Sequence, residues 1–535
     1  MKKKISLVLF CSLLAYVWID HSRQARDLVG SESVYAANAA SSKMQAVGHP
    51  TFASPHASPI RLLDRFVYVV NTPSDTVDVV NADTREITKR INVGIDPVSL
   101  AVRPDGKELW VSNHVSDSVS VIDTDASSPT FLQVVGTIQE FDPKTRATRF
   151  DEPVGIAFAS NEKAYVALSS ENQIATVDVA SREVTGHLRI TAQDPRQIVV
   201  RNGLLYVIPF ESNNKTQLSG GTGDLDGDLV TFNAHEHAIA NNNVLSLGAV
   251  VDIVKHPKVP DRDLFVFDTE SDRLVETVDS LGTLLYGMTV DSKGRVYIAQ
   301  TDARNEVNGR AGTKDHGLAE LENRAFLNRI TSVLPRTNEL SRSEQYKADV
   351  HFMDLEPLPP EHPDPQDALA TPFAIEVSDD DATLFVSAAG SDQFFTVDAT
   401  NGKVLGRVGV DAVPRGIALQ NDASGNTAAA WTLNAVANTV SFMDVSDPAA
   451  PSVVETITLE DPTHPAVKRG RIAFNTAAAS TTKTFACASC HPDGHTDQLL
   501  WVLKTPVVTG GNQIMPRSTM PIRGLRDTAP YHWDG

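Results

Sequence analysis

The sequence predicts a mainly-β fold: a seven-bladed β-propeller over residues 46–455, followed by a small all-α domain over 456–535. Three observations predict it. A strand phrase centred on an aromatic residue recurs seven times. The runs around it alternate apolar and polar residues and break at Asp-Gly, Asn-Gly or Ser-Asp turns, the period and punctuation of short strands and hairpins. After the last repeat the pattern changes: Arg469-Gly470-Arg471-Ile472-Ala473-Phe474-Asn475 reads as a helix leading into Cys487-Ala488-Ser489-Cys490-His491.

The repeats carry most of the chain. Val67-Tyr68-Val69-Val70-Asn71 with Thr76-Val77-Asp78-Val79-Val80 returns as Leu109-Trp110-Val111-Ser112-Asn113 with Ser118-Val119-Ser120-Val121-Ile122-Asp123. The aligned anchors are Tyr68, Trp110, Tyr165, Tyr206, Tyr297, Phe385 and Trp431. A second marker, a Pro or Tyr followed by an apolar strand, precedes most of them: Asp96-Pro97, Glu152-Pro153, Asp194-Pro195, Tyr286-Gly287, Thr371-Pro372 and Val413-Pro414-Arg415. A unit of about 40 residues holding four short strands is the signature of a propeller blade, and closing the ring hides most strand edges. These phrases resemble the YVTN-type bacterial β-propeller family over roughly residues 60–450. That resemblance implies the fold and says little of function.

Two gaps between anchors are too long for simple blades and predict insertions at about 210–260 and 300–370. The first holds Asp224-Leu225-Asp226-Gly227-Asp228 and His235-Glu236-His237. In the second, Leu318, Leu321, Ala325, Phe326 and Ile330 have helical spacing across 315–330, and the proline-rich run 357–365 reads as extended. Long insertions in a propeller usually sit on one face, where they cap the channel or hold the next domain.

Bulk composition narrows the classes. At 535 residues the chain exceeds one ordinary core, and 41% hydrophobic against 21% charged residues fits a folded protein. A net charge of −20 argues against a nucleic-acid partner. It suits a basic soluble protein approached by electrostatic steering, and equally suits plain solubility. Residues 1–45 read as a signal peptide and linker: Lys2, Lys3 and Lys4 precede an apolar run from Ile5 to Ile19, and Ala37-Asn38-Ala39 has the form of a cleavage site. The long distance between run and site leaves an uncleaved anchor open. No other stretch is apolar enough to span a membrane, so the expectation is a periplasmic or secreted protein.

Cys11 lies in the apolar run, which leaves Cys487 and Cys490 as the cysteines of the mature chain. C-x-x-C-H attaches haem c: the two thiols form thioethers to the porphyrin, and His491 supplies the proximal iron ligand. A zinc site would need a second pair of ligands, and a redox dithiol expects a βαβ context; neither is present in the sequence.

Downstream come Pro492-Asp493-Gly494 and then Met520-Pro521-Ile522-Arg523-Gly524-Leu525-Arg526, ending in Tyr531-His532-Trp533-Asp534-Gly535. Over roughly 460–535 this resembles the first haem domain of the bacterial di-haem cytochrome c peroxidase family. The resemblance implies an electron-bridging role for Trp533 and a second haem domain, with its acid–base glutamate, beyond Gly535, so the expectation is that the chain is a fragment. The family often places a distal histidine where this chain has Thr509-Gly510-Gly511-Asn512-Gln513. Met515 or Met520 is then the candidate sixth ligand, with His532 behind them and ordinary packing as the alternative role for both methionines.

Lesser signals stay minor. Asp224, Asp226 and Asp228 carry carboxylates suited to calcium, but Leu229 stands where an EF-hand loop needs glycine, so an acidic turn is preferred. His235 and His237 read as a surface loop before a metal site. Two functions remain. In one, the haem passes electrons to or from a soluble redox protein or small molecule, with or without peroxide reduction, and the propeller docks the partner. In the other, the propeller is a binding scaffold with an accessory haem. A hydrolase or lactonase is disfavoured because no well-placed acid and histidine cluster recurs at channel-lining positions.

Overall fold

The computed structural model describes residues 53–218, 240, 253–307, 321–335, 348–502 and 516–524, and these form one compact unit. The architecture is a mainly-β, propeller-like ring of four-stranded antiparallel meanders. Five are separate sheets, spanning 60–92, 97–138, 153–189, 372–409 and 414–458. The remaining strands of the ring form one sheet that contains two such meanders, 193–279 and 284–354, joined where Glu211 pairs with Leu284. First strands pack on first strands in chain order, and Pro414–Asn421 packs on Ile60–Leu63 to close the ring. Trp431, Leu433 and Val440 share one buried cluster with Ile60, Val67 and Tyr68 across that closure.

Every predicted aromatic anchor lies in the second strand of its meander and is at most 3% exposed. Alternation puts these rings between neighbouring sheets, and each such burial contributes about 1.5–3 kcal/mol. The X-Pro markers have a sharper structural meaning. Asp96, Glu152, Asp194, Thr371 and Val413 all adopt positive φ immediately before their proline. Four of them bond back to the preceding meander: the amides of Asp96, Glu152, Asp194 and Val413 donate to Asp75, Asp117, Asn172 and Asp392 side chains at 2.9, 3.2, 2.8 and 2.9 Å. Those acceptors themselves sit in left-handed turns, which Asp and Asn tolerate best after glycine. Just after the marker the first strand slips register against its neighbour, leaving a bulged residue at Val98, Arg196, Tyr286 and Arg415. Bulges re-aim side chains, and this one supplies the mouth of the ring.

Three expectations change. The helical spacing over 315–330 is not a helix where it is described: Phe326–Leu334 is a strand, because Phe326 and Ile330, four apart, also share one face of a strand, with Phe326, Asn328 and Ile330 buried between the half-buried Leu327 and Arg329. The proposed 300–370 insertion therefore contains two strands of the ring, Phe326–Leu334 and Asp349–Asp354. The C-terminal segment is not all α: after the helix Pro465–Asn475 and the single turn Cys487–Cys490, Leu500–Val502 pairs with Pro516–Ser518. The first insertion is bracketed by an antiparallel pair, Thr216–Leu218 with Ile253–Lys255. The signal segment, Asp224 to Asp228, His235 and His237, 509–513, Met515, His532 and Trp533 lie outside the described residues. Among the described residues no helix is long and apolar enough to cross a membrane.

Candidate haem-attachment site at the propeller mouth

Cys487 and Cys490 occupy one helical turn, three residues apart, and both are free thiols. Spacing of i and i+3 puts them on one side of the turn. Burial pushes the Cys490 thiol well above its ordinary value, the opposite of the depressed pKa of a reactive redox pair. His491 caps the turn, and its Nδ1 donates to the His495 carbonyl at 3.3 Å. That contact leaves Nε2 with the lone pair, the arrangement metal-ligating imidazoles use.

The loop after His491 folds on itself. Asp493 and Gly494 take φ of 51° and 81°, and the Asp497 amide returns to the Cys490 carbonyl at 2.9 Å. Asp497, buried, accepts from Leu499 N and Trp501 Nε1. The turn drives Asp493 into the ring. Its two oxygens accept from Arg196 Nη1 and Arg415 Nη1, each at 2.8 Å, and all three residues are under a tenth exposed. Burial alone would raise the Asp493 carboxyl, but Arg415 and Arg196 outweigh it and hold the group well below the usual carboxylate range. Arg196 stacks on Phe210 with 3.7 Å to the ring centre, and Arg415 lies over Phe373 at 4.7 Å. The C-terminal segment is fastened a second time on the meander 284–354: Asn328 donates to the Thr484 carbonyl, Asn305 to that of Leu500, and Trp501 packs on Phe326.

Met520 belongs to the same assembly. Thr519 N donates to the Leu499 carbonyl at 3.1 Å, Ile522 N to that of Gly494 at 2.9 Å, and Arg523 Nε to that of Asp493 at 2.9 Å. These bonds tie the half-buried Met520 to the loop that follows His491. Among the described residues no group of three or more His, Cys, Asp and Glu could hold a free metal ion.

Two buried imidazoles complete the mouth. His56, whose Nε2 lies 2.9 Å from Thr72 Oγ1, is lowered to about 3 by burial and by Arg415. His114 is lowered to about 3 by burial, with Arg196 and Arg523 beside it. Burial, with Asp194 beside it, pushes Glu211 up to about 8. Sequence reasoning missed Arg196, Arg415 and the anchoring role of Asp493. The signal was there in the repeat: the residue after the marker proline is Val98 or Val154 in other meanders and arginine in these two.

Comparison with known proteins bears on the ring. The family model of a YNCE-like β-propeller matches residues 34–195. Among solved structures, hydrazine synthase of Kuenenia stuttgartiensis superposes with a TM-score of 0.52 at 17% identity, covering 75% of this chain and 99% of that one. A Desulfotomaculum acetoxidans protein described as functionally unknown gives 0.44 at 14% identity, over 74% and 95%. Virginiamycin B lyase from Staphylococcus aureus gives 0.41 at 11%, over 71% and 91%. At 17% identity the first likeness is one of fold. No curated protein matches the chain in sequence.

Proposed function

We propose that the chain is an exported c-type haem protein in which a seven-bladed propeller serves as the platform for an electron-transferring haem segment. Counting the two joined meanders of the large sheet separately supports the blade number. The single observation that carries the haem reading is the turn Cys487–Cys490, with two free thiols on one side and His491 oriented through Nδ1. Residues Cys487 and Cys490 would hold the porphyrin and His491 the iron; the bound haem would supply a one-electron couple. Met520, tied to the same loop, is favoured over Met515 as sixth ligand. Covalent haem of this kind is attached outside the cytoplasm, in keeping with the reading of residues 1–45.

The chain's own residues set the surroundings. Asp493, clamped by Arg196 and Arg415, fixes the attachment loop on the ring; Asp497 holds the polypeptide that returns beneath Cys490. Docking of a redox partner falls to the propeller, and peroxide reduction would be a further step. Protein made with a c-type maturation system is expected to be red and to keep its pigment through acid–acetone extraction, whereas Cys487→Ala, Cys490→Ala protein should release it. Pigment lost from the unaltered protein would refute thioether attachment. Loss of a near-infrared methionine band in Met520→Ala alone would assign the sixth ligand.

A further inference from the structure

Beside the attachment loop, the mouth of the ring opens into a cavity of about 230 Å³ that nothing in the haem reading uses. Its inner wall is His114, Arg196 and Asp493, and its rim includes Asn172, Glu152 and Arg523. We propose that this cavity binds a small oxyanion, a carboxylate or inorganic oxyanion held by Arg523 and Asn172. The proposal goes beyond the haem reading and does not rest on it.

The donors decide the ligand class. His114 is 8% exposed, and its Nδ1 is a buried polar atom with no hydrogen-bond partner. Asn172 spends its carbonyl oxygen on the Asp194 amide at 2.8 Å, which leaves its NH2 group as the free end. Arg523 uses Nε on the Asp493 carbonyl, and among the described residues no carboxylate lies within ion-pair distance of its guanidinium. The acids are mostly answered: Asp194 by Arg196 at 2.7 Å, Asp493 by Arg196 and Arg415. Glu211, pushed to about 8 by burial and by Asp194, carries a proton at neutral pH. Glu152 stands at the solvent side, its side chain 47% exposed and 3.9 Å from His114 Nε2. An oxyanion entering the cavity meets the Arg523 guanidinium and the free amide end of Asn172, with the neutral His114 ring as part of the wall.

The test is titration calorimetry on the full chain at pH 7 with acetate, nitrite and inorganic phosphate, which separate planar from tetrahedral anions. The decisive variant is Asn172→Asp. It keeps the acceptor for the Asp194 amide, replaces the amide donor by negative oxygen, and puts here the residue that occupies the equivalent turns at Asp75, Asp117 and Asp392. At least one anion should bind with a dissociation constant below about 10 mM, and Asn172→Asp should weaken it at least tenfold, as should Arg523→Gln. No heat with any of the three anions, or binding that survives Asn172→Asp, would overturn the proposal. Neither readout requires haem, so its failure is distinct from failure of the haem reading.

Discussion

At the scale of single residues, Asp493 fastens the loop after His491 to the ring. Among the described residues it is the one carboxylate that two buried arginines from opposite sides of the ring share. Removing one partner of a buried, hydrogen-bonded ion group costs about 3–5 kcal/mol, because the charges left behind have no water. Asp493→Ala should therefore lower the thermal midpoint clearly, and limited proteolysis should release the segment after residue 458 before the ring unfolds. A variant with wild-type melting and wild-type cleavage would show that the clamp holds nothing. The mouth also has a pH signature. His56 and His114 have folded values of about 3, below the ordinary 6.5, so their contribution is complete above about pH 6.5 and is lost as the pH falls through that window. Glu211 works in the opposite sense: its value of about 8 lies above the ordinary 4.5, so its contribution is complete below about pH 4.5 and is lost as pH rises to about 8. Each group changes stability by about 1.4 kcal/mol per pH unit at most. Melting profiles should flatten on the acid side in His114→Gln and on the neutral-to-alkaline side in Glu211→Gln; unchanged profiles would deny both burials. Cys487, Cys490 and His491 could be picked out in the sequence as candidates because C-x-x-C-H is a fixed local spacing. The Arg196–Asp493–Arg415 contact could not, since it joins residues 297 and 78 positions apart and local pattern says nothing of such pairs.

At the scale of elements, the repeated unit is a turn as much as a strand. An Asp or Asn in a left-handed turn of one meander accepts the amide that precedes the proline of the next, so neighbouring meanders are stitched at the mouth by one recurring bond. Asp392 shows the cost of losing it: Asp392→Ala removes the acceptor for Val413 N and places alanine at a φ of 53°. The bond is worth about 1 kcal/mol and the left-handed backbone about 1–2 kcal/mol more. Chemical denaturation should show Asp392→Ala destabilised by about 2–3 kcal/mol and Asp392→Asn nearly unaffected; equal losses in both would mean that charge, not the bond, matters. The sequence made the strands readable because their aromatic anchors recur on a two-residue alternation. It misled at Phe326, where a helical spacing and a buried alternation share the same apolar positions, and the pairing of Gln300 with Arg329 and Thr301 with Asn328 settles the matter in three dimensions.

At the scale of the whole molecule, the ring is a closed collar whose mouth is specialised at a few bulged positions. The chain uses the same repeat position for packing at Val98 and for anchoring at Arg196 and Arg415. This is how a fold common to many functions acquires one site. The helix Pro465–Asn475 and the attachment loop then lie over that mouth, Asn475 Oδ1 reaching Arg415 Nη2 at 3.5 Å. A haem carried there would be held against the ring rather than swinging on a linker. Intact-mass spectrometry under denaturing conditions tests this most directly, on protein produced with a c-type maturation system. A chain heavier by one haem is expected, with the addition abolished in Cys487→Ala, Cys490→Ala. A wild-type chain at its bare polypeptide mass would contradict it.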